Sequence, residues 1–130
     1  MIIKYLLILS VLLSALFQVV YGFLLLLRPA KISISLGGGD VSSNHLLMSV
    51  TRLYGKLFIT VGILSGLVVE LIWNELPIAI VYTLVIGVNM LVTGVMAYAM
   101  TKRAVYLYAD LARGGVILSF LYLYAFHYLK

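Results

Sequence analysis

Apolar residues run along this chain in four stretches, each long enough to cross a lipid bilayer. From Ile2 to Leu27 the only charge is Lys4, and as a helix that stretch reaches about 39 Å against a hydrocarbon core of about 30 Å. A second run extends from about Leu46 to Trp73 and carries Arg52, Lys56 and Glu70. The third, residues 78–101, contains no Asp, Glu, Lys, Arg or His, and the fourth, residues 104–129, is interrupted only by Asp110, Arg113 and His127. The pattern predicts an all-α protein, an integral membrane four-helix transmembrane bundle forming one domain, with helices over residues 2–27, 46–73, 78–101 and 104–129.

The breaks between these runs carry the expected punctuation. Arg28-Pro29 ends the first helix, and residues 28–45 read as a loop, with a turn at Gly37-Gly38-Gly39-Asp40. Ser42, Ser43 or Asn44 is placed to cap the second helix. Asn74-Glu75-Leu76-Pro77 predicts a tight hairpin into the third, because proline is tolerated where a helix begins, and Lys102-Arg103 marks the last turn. The first run is far longer than the roughly 7–15 apolar residues of a signal peptide, so it is expected to be a retained span.

Composition narrows the solvent. Sixty-five per cent of the residues are hydrophobic and 10% charged, against roughly 45–50% apolar in soluble domains, and a fold of this size could not hide that surface from water. Cysteine is absent, which excludes disulfides, thiolate metal sites and cysteine nucleophiles. The net charge of +5 matters less than its distribution. Lys4 and Lys130 fall on one side of the predicted topology, and Arg28, Lys31, Arg52, Lys56, Lys102, Arg103 and Arg113 on the other. The positive-inside rule then predicts a cell-membrane protein with the 28–45 loop and the Lys102-Arg103 turn in the cytoplasm, and both termini extracytoplasmic. No nucleic-acid partner is expected from a charge excess placed in this way.

Each span has a small or polar stripe. Ser10, Ser14, Gln18 and Tyr21 share an arc of the first helix; Gly55, Gly62 and Gly66 align on the second; Tyr82, Asn89, Thr93, Met96 and Met100 share a face of the third. These read as packing seams, with Gly55, Gly62, Gly66, Ser10 and Ser14 permitting close helix approach and Gln18, Asn89 and Thr93 forming a polar bundle interior. Tyr5, Trp73, Tyr124 and Tyr128 at one level and Tyr54, Tyr98 and Tyr106 at the other suggest two interfacial aromatic belts. Arg52 and Lys56 stand one turn apart on the second helix, as do Asp110 and Arg113 on the fourth. One reading pairs Asp110 with Arg113 or Arg52; the other leaves an excess of cations to hold a lipid phosphate or another anion. His45 and His127 lie on opposite sides and lack second ligands, so no metal site is expected. No nucleophile with its base and no carboxylate pair is evident, so no catalytic residues and no cofactor are expected either.

Arg52-Leu53-Tyr54-Gly55-Lys56-Leu57-Phe58, followed by Val61-Gly62-Ile63, resembles the segment of small four-helix membrane families, the DoxX-like proteins and relatives of unknown function, in which an arginine precedes a tyrosine-glycine pair. Here Lys56 stands where those families often have a second glycine, and Ser49 and Val50 where an acidic residue often precedes the arginine. The resemblance implies the four-span fold and a structural corner at Arg52, Tyr54 and Gly55, and carries no reaction. It leaves function open; the missing catalytic groups, the small extramembrane mass, the small-residue seams and the apolar faces lead to the expectation of a non-catalytic, non-enzymatic membrane subunit or scaffold, with membrane lipids and other membrane protein subunits as partners. A small homo-oligomeric transporter or channel is the alternative.

Overall fold

A computed structural model describes residues 1–35, 42–102 and 104–128, apart from the side chains of Ser33, Ser35, Ala97, Met100, Thr101, Val105 and Tyr106. The Gly37–Asp40 turn, Arg103 and Lys130, together with the expected facial placement of Met100 and Tyr106, lie outside the described residues. The protein is all-α: α1 Ile2–Leu27, α2 Pro29–Ser35, α3 His45–Trp73, α4 Ile78–Thr101 and α5 Ala104–Tyr128. Four helices, α1, α3, α4 and α5, are long and apolar enough to span a bilayer, which makes this a multi-pass membrane protein. The chain divides into two compact units, Met1–Ser14 with Ser65–Lys130, and Ala15–Leu64.

The first unit is a four-helix bundle built from the opening of α1, the end of α3, and α4 and α5. Its core gathers Leu7 and Val11 from α1, Ile72 from α3, Met90 from α4, and Ile117 and Leu121 from α5. Ser14, fully enclosed, donates a hydrogen bond to the Met90 sulfur at 3.3 Å. The second unit holds the remainder of α1 and α3 with α2 between them in sequence. There α1 and α3 approach closely: a Cβ added at Gly55 would lie 2.7 Å from the Gly22 carbonyl oxygen, and one at Gly62 would lie 2.9 Å from that of Ala15. Gly55–Gly62 and Ala15–Gly22 have the same seven-residue spacing, so small residues meet at each contact.

One local feature departs from the expected boundaries. The connection 28–45, expected to be a loop throughout, opens with the seven-residue helix α2. Pro29 takes the first helical position, where its missing N–H leaves no donor unpaired, and Ile32 N–H donates to the Arg28 carbonyl at 3.1 Å. Too short to show apolar periodicity, this turn left no helical signal in the sequence. At the start of α3, Asn44 is the cap, its side-chain oxygen accepting from Leu46 and Leu47 N–H at 3.0 and 3.2 Å.

Candidate functional site

The hairpin between α3 and α4 ends in a left-handed residue that is not glycine. Glu75 has φ 55°, Leu76 N–H donates to Leu71 C=O at 3.0 Å, and Glu75 N–H donates to Ile72 C=O at 3.1 Å. This is the paired closure of a Schellman motif. A left-handed conformation costs a side chain about 1–2 kcal/mol, and Glu75 is held there through both its carboxylate and its carbonyl. Its carboxylate takes a 2.7 Å ion pair from Lys4 Nζ, and its carbonyl accepts the Tyr128 hydroxyl at 2.5 Å. Lys4 also sits over the Trp73 ring at 5.6 Å, and Tyr5 meets that ring edge-on at 6.0 Å. The Lys4 ammonium holds the Glu75 carboxyl below its ordinary value, first through the hydrogen bond and then through charge attraction. This clasp joins α1, the α3–α4 hairpin and α5. Its two charged partners, Lys4 and Glu75, lie 71 residues apart in the chain.

The aromatic residues near this end serve partly as interior. Tyr5 and Trp73 are exposed, as a belt requires, whereas Tyr124 is buried and stacks on Tyr128 at 5.8 Å. At the other end, Lys102 is the left-handed cap of α4, with φ 57° and its N–H donating to Tyr98 C=O at 2.7 Å. Its ammonium lies 5.9 Å from the Tyr98 ring.

Within the first unit α4 and α5 pack through glycine. A Cβ at Gly94 would meet the Asp110 Cβ at 2.7 Å, and one at Gly114 would meet the Gly87 carbonyl oxygen at 2.9 Å. Asp110, pressed against α4 in this way, forms an ion pair with Arg113 one turn along its own helix, and both side chains are mostly buried. Arg52 and Lys56 belong to the second unit and are exposed on α3. Asp110 and Arg113 thus form an intrahelical ion pair in the first unit, and Arg52 and Lys56 an exposed cationic turn in the second.

Several predicted seam residues lie elsewhere. Gly66 has open space around its Cβ position: in its unit the buried positions of α3 are Ser65, Val68 and Ile72, spaced by three and four, and Gly66 falls beside that line. Ser10 is only half-buried, and its hydroxyl returns to the Leu6 carbonyl at 2.7 Å. Gln18 is 6% exposed, inside as expected, and its Oε1 has no hydrogen-bond partner among the described residues. Asn89 and the expected α4 face are turned differently: Tyr82, Asn89 and Met96 are exposed, Thr93 is half-buried, and the packed face is Ala79, Thr83, Gly87, Met90 and Gly94. Thr93 satisfies its hydroxyl on the Asn89 carbonyl at 2.8 Å, so it does not require an interior position. Asn89 stands at the twelfth of the 24 residues of α4, mid-span, on the outer surface.

No family model, curated protein or solved structure matches the chain. The site is accordingly read from its own chemistry. Among the described residues no three His, Cys, Asp or Glu side chains gather as a metal site would require. What the geometry displays is one outward carboxamide at mid-span, an ion pair within α5 beside its contact with α4, and a clasp at the hairpin end.

Proposed function

We propose that the chain is a non-catalytic subunit or scaffold of the cell membrane, which docks through its helices against other membrane helices in a larger complex. The observation that supports this reading best is Asn89. A carboxamide facing hydrocarbon without a partner costs several kcal/mol, and a neighbouring transmembrane helix offering a polar group removes that cost. The topology proposed with it has both termini and the Asn74–Pro77 hairpin outside, on the strength of seven basic residues against two. In that orientation Arg52 and Lys56, exposed one turn apart, meet the phosphates of the cytoplasmic leaflet.

Extraction from native membranes in a mild detergent, followed by size separation, tests it. The expected result is an assembly larger than one chain that shrinks when Asn89→Leu is introduced; a chain that always migrates alone refutes the proposal. Gln18, with its unsatisfied interior oxygen, favours the alternative of a small homo-oligomeric transporter or channel. Flux across proteoliposomes that disappears with Gln18→Leu would select that reading.

A further inference from the structure

We infer that the helix docked against α4 is α4 of a second copy of this chain, parallel and in register, with the two Asn89 side chains hydrogen-bonded to each other near the bilayer midplane. The inference rests on the docking reading above and names its partner.

The exposed positions Ile78, Tyr82, Val85, Asn89, Val92 and Met96 are separated alternately by four and three residues. That is the 3.5-residue period of a left-handed coiled-coil seam, a crossing geometry common among membrane helices. In heptad terms Tyr82, Asn89 and Met96 take the a positions, and Ile78, Val85 and Val92 the d positions. The face of α4 used inside its own unit, Ala79, Thr83, Gly87, Met90 and Gly94, is a separate set. Lipid accepts any apolar surface, so the apolar members of the seam are silent about a partner; Asn89 is not. Among the described residues its carboxamide has no hydrogen-bond partner.

Three properties select a second copy. A carboxamide both donates and accepts, so it complements itself. Copies inserted with one topology present α4 in the same direction, and a two-fold axis along the membrane normal sets each residue opposite its own equivalent. A single asparagine at an a position specifies register, because a shift in either direction leaves both amides facing apolar side chains. A different protein would have to supply a polar group at that depth; a second copy already has one.

The absence of cysteine gives single-cysteine variants a clean background for oxidative cross-linking in intact membranes. Val85→Cys and Val92→Cys are expected to yield disulfide dimers, and Leu84→Cys, exposed on α4 but off the seam, about a tenth as much. Adding Asn89→Leu to Val92→Cys should lower the yield about tenfold at low protein-to-lipid ratio, while Asn89→Gln should preserve most of it. Helical circular dichroism of Asn89→Leu confirms that the chain still folds, as expected when an exposed amide in lipid is replaced by an apolar group. Equal yields from Val92→Cys and Leu84→Cys, or an unchanged yield with Asn89→Leu, overturn the inference. Capture of Val92→Cys only onto a different protein also overturns it and leaves the docking reading standing; a chain that runs alone in mild detergent overturns both.

Discussion

Gly114 and Gly115 are adjacent on α5, and the same substitution should have opposite consequences at the two. A methyl group at Gly114 would lie 2.9 Å from the Gly87 carbonyl oxygen and 2.9 Å from Leu91 Cδ2, whereas one at Gly115 meets nothing within 4 Å. Ordinary contact begins near 3.4 Å, so the Gly114 methyl requires α4 and α5 to part by about 0.5 Å. The obstacle on α4 includes backbone, which no rotamer change can move aside. Overpacking of this kind costs about 1–3 kcal/mol. Both substitutions share the gain of about 1 kcal/mol for replacing a helical glycine by alanine, so the difference between them isolates the clash. Gly114→Ala is expected to be 1–3 kcal/mol less stable than Gly115→Ala by about that estimate, with Gly115→Ala at or above the parent. Equilibrium unfolding in mixed micelles, followed by circular dichroism, measures both. Stabilities equal within about 0.5 kcal/mol, the usual range of a surface substitution, would refute a glycine-mediated α4–α5 contact.

The same logic applied to α3 predicts that Gly55→Ala, whose Cβ would lie 2.7 Å from the Gly22 carbonyl oxygen, falls below Gly66→Ala, which meets open space, by about 1–3 kcal/mol in the same assay. Asp110→Ala removes the carboxylate from the mostly buried ion pair with Arg113; stability should fall by up to about 3 kcal/mol, and Arg113→Ala in addition should restore part of it. Stability should also depend on pH through Glu75. Its carboxyl titrates at its ordinary 4.5 in the unfolded chain and lower in the fold, so the contribution of the Lys4 pair is complete above that pH. It is lost as pH falls through the folded value; a titration of unfolding midpoints should show this decline, and Glu75→Gln should flatten it.

The spans and their ends were legible because each is an apolar run bounded by Pro, Gly, Asn or paired charges, and α3, α4 and α5 begin within a residue of where those signals place them. The faces of α4 were harder to read. Its polar residues suggested an interior at Asn89 and Thr93, following the habit of soluble proteins in which polarity identifies one side of a helix. In lipid a hydroxyl can be satisfied on the carbonyl four residues back, as Thr60, Thr83, Thr93 and Ser119 all are, so a threonine is free to face either way. The stronger signal was small size at helical spacing, Ala79, Thr83 and Gly87. For the same reason Gly62 and Gly66 look equivalent as a motif, yet only Gly62 lies on the contact line. The ion pair between Lys4 and Glu75 spans 71 residues, and no local pattern announces a partner at that distance.

That pair also bears on the order of assembly. Chains enter a bilayer progressively from the amino-terminal side, so Lys4 waits for Glu75 to emerge 71 residues later, and the Glu75 carbonyl waits a further 53 for Tyr128. Until α5 has crossed, the hairpin holds a left-handed glutamate with only part of its support. The clasp is therefore a latch that closes late, and a chain halted before its last crossing would present an unfastened hairpin at the membrane surface, chemically distinguishable from the finished protein.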